Sequence, residues 1–226
     1  MKITLKAMDR TGEEVLQNCG VPAELMQGQL TEGGVLITVC CGDDIGWLTK
    51  PRSSAYKQEV DYVIIPYGQR ERLEELHRLT AGRNVVFIPQ LPVEASDEAE
   101  YYSLCTAEAA ASVKALIRLL KSSGTGVMAV DETDLERVLT YGENTYKAIF
   151  SVSGRSADEC TEKVLSHRLV AAKPIMTLYK AFFPSDCDIS QLEELRSAFV
   201  RSVSGLTLDE CAPEVVIVAV YDKAPE

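Results

Sequence analysis

Two aspartates, Asp131 and Asp134, stand three residues apart in the run GVMAVDETDLERVL, just before an apolar-periodic stretch. At a helix start such carboxylates meet unpaired backbone N–H groups and the positive end of the dipole, so the first reading is Asp131 as N-cap and Asp134 in the first turn. Catalytic use would need a bound substrate within proton-transfer reach. A second acidic pair, Asp43 and Asp44, follows the apolar run Val35–Cys40, and Tyr67 follows Tyr62–Ile65. The ends of such strands are where α/β proteins place ligand loops. The competing reading is a plain strand exit with Cys40 and Cys41 buried. His77 and His167 fall on helices without the cysteine or carboxylate spacing of a zinc site, so no metal is expected. No G-x-S-x-G elbow and no Ser-His or Cys-His pairing can be assembled. Trp47 with Lys50-Pro51-Arg52 reads as a surface loop.

The composition narrows the function classes. A net charge of −11 disfavours a phosphate-neutralising surface, so nucleic acid is not an expected partner. The acidic excess is concentrated after residue 95, with 13 basic and 21 acidic residues against 10 and 13 before it, as a solvated surface would show. Seven cysteines, with no C-x-x-C pair and a vicinal Cys40-Cys41, read as reduced thiols packed as small hydrophobes. No apolar run approaches the ~20 residues that span a bilayer, so membrane insertion is not expected. A cytoplasmic location is the expectation.

The elements that must position these residues can be read in order. Ile3–Leu5, Val35–Cys40, Tyr62–Ile65 and Val85–Ile88 read as buried strands. Between the last two, Leu73, Leu76 and Leu79 mark one side of a helix closed by Gly82, giving a strand-helix-strand unit and hence a parallel sheet. A helix of about 26 residues, ~40 Å long, is predicted over 97–122 with Ser96 as N-cap. Its apolar stripe is Tyr101, Leu104, Cys105, Ala109, Val113, Leu116, Ile117 and Leu120. A helix follows over 131–141 with Leu135, Val138 and Leu139 inward, then a strand alternating through Tyr146, Ala148, Phe150 and Val152. Ser156-x-x-Glu159 opens a helix that runs through His167, and IMTLYKAFF forms a strand. Ser190-x-x-Glu193 opens a helix expected to carry Leu192, Leu195, Phe199 and Val203. VVIVAV over 215–220 reads as a central strand.

These features together resemble the tubulin/FtsZ cytoskeletal GTPases, in which the central helix is followed by an N-x-D-x-x-D loop and a small C-terminal α/β domain. The pattern falls here on Ala129, Asp131 and Asp134. FSVSGRSADECTEKVLSHRL, KPIMTLYKAFF and PEVVIVAVYD resemble later elements of the family, and VDYVIIPYGQRERLEEL resembles the strand and helix ahead of the central helix. The resemblance implies that Asp131 and Asp134 would reach a neighbouring subunit's nucleotide and polarise the attacking water. It offers Tyr101, Tyr102 and Glu108 for the guanine-stacking and acidic positions of the central helix.

The departures matter as much. Ala129 stands in place of Asn, and no GGGTG[TS]G phosphate loop is present. Gly33-Gly34 reads as a turn, and Gly124-Thr125-Gly126 as a helix terminator. The expected architecture is α/β: a short parallel-sheet, reduced Rossmann-like domain over 1–95, a connecting helix over 96–124, and an FtsZ-like domain with a mainly mixed sheet over 125–226. The expected function is a non-catalytic interaction or self-assembly protein linked to cell division or cytoskeletal filaments. Its expected partner is itself or an FtsZ/tubulin-like protein, and no cofactor is expected, GTP entering only through a divergent site. The alternatives are a small-molecule-binding protein or enzyme with its site near Asp43, Asp44 and Tyr67, and a divergent GTPase.

Overall fold

The computed structural model describes residues 3–20, 34–43, 46, 56, 58–89, 93–142, 144–187, 190–208 and 212–225. Asp44, Gly33, Trp47 and Lys50-Pro51-Arg52, singled out above, lie outside them. The chain divides into two compact units, one of residues 1–114 and 142–146, the other of residues 115–141 and 147–225.

In the first unit β1 (Ile3–Ala7), β2 (Val35–Cys41), β3 (Gln58–Ile64) and β4 (Val85–Ile88) lie side by side in chain order, every neighbouring pair parallel. All seven residues of β3 are buried, as an interior parallel strand requires. A helix that the apolar pattern does not announce, α1 (Arg10–Asn18), starts three residues after β1, capped by Asp9 and buried through Val15 and Leu16. After β3 a short 3₁₀ turn (Arg70–Arg72) leads into α2 (Leu73–Leu79). Leu73 and Leu76 face inward there, whereas Leu79 is 38% exposed, because the helix ends at that residue and its last turn leaves the core.

The long helix α3 runs over Glu98–Lys121, its first part in one unit and its last turns in the other. Its stripe is buried at Tyr101, Cys105, Ala109, Val113, Leu116, Ile117 and Leu120, while Leu104 is 41% exposed. The N-cap also differs from the reading above. The Asp97 carboxylate accepts from Glu100 N–H at 2.8 Å, and the Glu100 carboxylate reaches back to Ser96 N–H at 2.7 Å. Asp97, not Ser96, is the cap, because its carboxylate stands three residues before the N–H it accepts from.

In the second unit, with Tyr146 alone counted in the first, α4 (Glu132–Leu139), β5 (Tyr146–Ser153), α5 (Ala157–Ser166), α6 (Arg168–Ala171), β6 (Met176–Phe183), α7 (Ser190–Ala198), β7 (Ser202–Leu208) and β8 (Glu214–Tyr221) follow in turn. The strands lie in the order β5-β8-β6-β7. β6 runs antiparallel to β8 and parallel to β7, so this sheet is mixed. β8 is interior and buried from Val215 to Tyr221. Val203, expected on a helix, lies instead on β7: α7 ends at Ala198, and the β-branched run SVSGLTL after it takes up pairing with β6.

Candidate functional site

At the C-terminal ends of β1 and β2, one carboxylate meets two backbone donors. Asp9 Oδ1 accepts from Gly12 N–H at 2.8 Å, and Oδ2 accepts from Cys41 N–H at 2.6 Å. Close packing forces this meeting. A Cβ on Gly12 would lie 2.3 Å from the Val39 carbonyl oxygen, so only glycine lets the first turn of α1 press against β2. Helix N-termini and inward-facing backbone N–H groups ordinarily make anion sites. Here two such donors are satisfied by the protein's own side chain.

Around this mouth the structure gathers several of the residues proposed from sequence. The Cys41 thiol lies 3.7 Å from Asp43 Oδ2 and 3.6 Å from the Tyr102 hydroxyl. Tyr101 meets Tyr67 edge-on at 5.4 Å and Tyr102 at 5.9 Å. Tyr67 is 42% exposed on the wall of a cleft of about 700 Å³ that Ile65, Arg70, Leu73, Val93 and Tyr101 also line. Glu108 sits two turns further along α3 and is half-buried. Asp9 is the residue sequence reasoning missed, and its bond to Cys41 gave no signal because that partner is 32 positions away.

The thiols and phenols here are poor acids. Burial raises Cys41, drives Cys40 far higher, and pushes Cys105 up to about 12. Burial also raises Tyr101, with Cys105 adding to it, and raises Tyr102, with Cys41, Asp43 and Glu98 adding to it. A thiol held protonated is a poor nucleophile. Among the described residues no group of three or more His, Cys, Asp or Glu side chains could hold a metal ion.

The histidines are used in packing. His77 stacks on Tyr146 at 4.1 Å, with Nε2 3.1 Å from the Thr145 carbonyl. His167 stacks on Phe150 at 4.5 Å, and its Nδ1 accepts from Leu169 N–H at the start of α6. Burial lowers the His167 pKa, and Arg168 lowers it further, in keeping with the neutral ring that an accepting Nδ1 needs.

In the second unit Asp131 and Asp134 form a reciprocal capping box. Asp131 Oδ1 accepts from Asp134 N–H at 2.9 Å, and Asp134 Oδ2 accepts from Asp131 N–H at 3.2 Å. Asp131 is solvent-exposed and Asp134 half-buried at the start of α4. Asp131→Ala is expected to lower stability by about 0.5–2 kcal/mol, and Asp131→Asn to keep most of it. Urea midpoints of both variants check this, and equal losses for Ala and Asn would show that the charge, not the cap, is what matters.

The loop before the cap is braced and apolar at its tip. Met128 and Leu206 exchange two backbone hydrogen bonds at 3.2 and 2.9 Å, and Gly124 N–H donates to the Val130 carbonyl at 2.9 Å. Gly126, at φ +107°, lies where a Cβ would stand 2.3 Å from the Leu206 carbonyl oxygen. Val130 is buried, while Val127 is 68% and Met128 42% exposed.

No protein-family model matches the sequence, and no curated protein matches it. Solved structures do match over most of the chain. CetZ2 from Haloferax volcanii, a GTPγS-bound protofilament, superposes at a TM-score of 0.65 and 13% identity, covering 100% of this chain and 95% of that one. TubZ from Bacillus thuringiensis serovar israelensis, in GDP-form protofilaments, gives 0.61 at 10% identity, covering 98% and 85%. An empty FtsZ dimer of M. jannaschii gives 0.54 at 17% identity, covering 89% and 67%. At such identities likeness speaks for backbone architecture alone, and by that measure the chain has the tubulin/FtsZ-like fold.

Proposed function

We propose that the protein is a cytoplasmic assembly protein of the tubulin/FtsZ fold that works without turning over GTP. It joins copies of itself, or an FtsZ-like filament in a dividing cell, through the loop and cap around Val127, Met128 and Asp131. The observation that carries this reading is the Asp9 carboxylate, which occupies two backbone donors at the strand ends where a phosphate would need them. A phosphate brought there would displace a bonded carboxylate and face the negative charge of Asp9 and Asp43 at the same mouth. Self-assembly draws support from the comparison: the matching CetZ2 and TubZ structures are protofilaments.

Isothermal titration with GTP and GDP, alongside sedimentation of the protein over a concentration series, tests both halves. No heat of nucleotide binding and a sedimentation coefficient that rises with concentration are expected. Micromolar GTP binding would overturn the first half and revive the divergent-GTPase reading. A second reading rests on the cleft beside Tyr67, whose volume of about 700 Å³ suits a small apolar ligand. Saturable binding of a small molecule that Tyr67→Ala abolishes would favour it.

A further inference from the structure

We infer that Lys180 is a positioning residue for the loop over 122–131, holding its apolar tip in the shape it offers to a second copy of the chain. The second clause rests on the self-assembly reading above.

Lys180 lies in the middle of β6, fully buried between Tyr179 and Ala181. Taking an ammonium out of water is costly, and a methionine of similar length would pack there at lower cost. Burial lowers its pKa accordingly. Among the described residues no carboxylate pairs with it in an ion pair. Its Nζ instead donates to the carbonyls of Ser122 and Thr125, the latter at 2.9 Å. The Ser122 carbonyl stands one residue past the end of α3, where the negative end of the dipole attracts a cation, and the Thr125 carbonyl lies three residues further along the loop. What the buried charge gains, it gains from the first residues of the loop.

The rest of the loop is fixed from the same side. Thr125 closes on Ser122 through its N–H and its hydroxyl, at 3.2 and 2.7 Å. Met128 is tied to Leu206 on β7, and a Cβ on Gly205 would come within 2.6 Å of Val130 Cγ2. The underside is therefore anchored at Lys180, Leu206 and Gly205, while Val127 and Met128 stand bare above it. An apolar tip already held in one conformation loses little further freedom when a partner covers it, which is how preorganisation strengthens association.

The experiment combines hydrogen exchange and sedimentation on the full chain. In Lys180→Met the amides of Gly124, Thr125 and Met128 should exchange about tenfold faster or more, with Val216–Val218 of β8 still protected, as a local opening predicts. Self-association should weaken by about tenfold with them, since the tip must then be ordered on binding. Loop exchange equal to wild type would overturn the inference, as would loosened loop amides with undiminished association. Met128→Glu, at an exposed position, covers the case in which Lys180→Met fails to fold. It should keep the wild-type unfolding midpoint and lose association, and association at wild-type strength would overturn the role given to the tip. A wild-type protein monomeric at every concentration would sink the assembly reading and with it the contact given to the tip, and the exchange arm alone would then decide the clamp.

Discussion

Asp61→Ala should destabilise the protein by about 3–5 kcal/mol, the usual cost of stranding one member of a buried ion pair. Asp61 is 1% exposed on β3, and Oδ2 accepts from Arg83 Nη2 at 2.8 Å and from Nε at 2.9 Å. The Arg83 side chain is itself only 12% exposed, so without the carboxylate its guanidinium remains largely out of water. Removing both charges is expected to cost less than removing one. Asp61→Leu combined with Arg83→Met should recover a large share of the loss, because matched apolar replacement spares both desolvation terms. Urea unfolding of the single and double variants is the measurement. If Asp61→Ala costs less than about 1 kcal/mol, water reaches the pair and it is a surface bridge in energetic terms.

Leu116→Ala should cost about 2–5 kcal/mol, from lost transfer free energy and from a cavity that surrounding atoms only partly refill. Leu116 has no exposed surface in the last turns of α3. Leu104 serves as the internal control, since at 41% exposure its replacement by alanine should change the unfolding free energy by no more than about 0.5 kcal/mol. Similar small effects at both positions would mean that the stripe does not face a core.

Elements with strong apolar periodicity were legible from the sequence alone. β2, β8 and most of α3 fall where their runs placed them, because burial on both faces or along a wide stripe leaves a dense apolar signature, whereas β3 starts at Gln58, four residues ahead of its apolar run. The caps at Asp131 and Ser156 were legible too, since both partners of each bond lie within three residues. What escaped was non-local or disguised. α1 buries only Val15 and Leu16 among its large apolar side chains, too few to stand out. Nothing within IMTLYKAFF marks Lys180 as buried, and only the fold brings the end of α3 over it. The Asp9 contact to Cys41 depends on pairing β1 with β2, which the spacing of the two strands does not encode. Helix ends were missed for a related reason: nothing in SAFVRSVSGLTL separates helix from strand until β6 supplies an edge to pair with.

The distribution of sulfur has a practical consequence. Cys19, Cys40, Cys41 and Cys105 are sealed within the first unit and Cys160 within the second, while Cys187 is half-buried. Burial pushes the Cys19 and Cys160 thiols up to about 11, so at neutral pH neither offers the thiolate that alkylating reagents attack. Labelling of these positions therefore has to wait for the chain around them to open. Mass spectrometry of the alkylated peptides would time that opening for each unit separately, with Cys187 as the early marker, and no probe need be engineered into the chain.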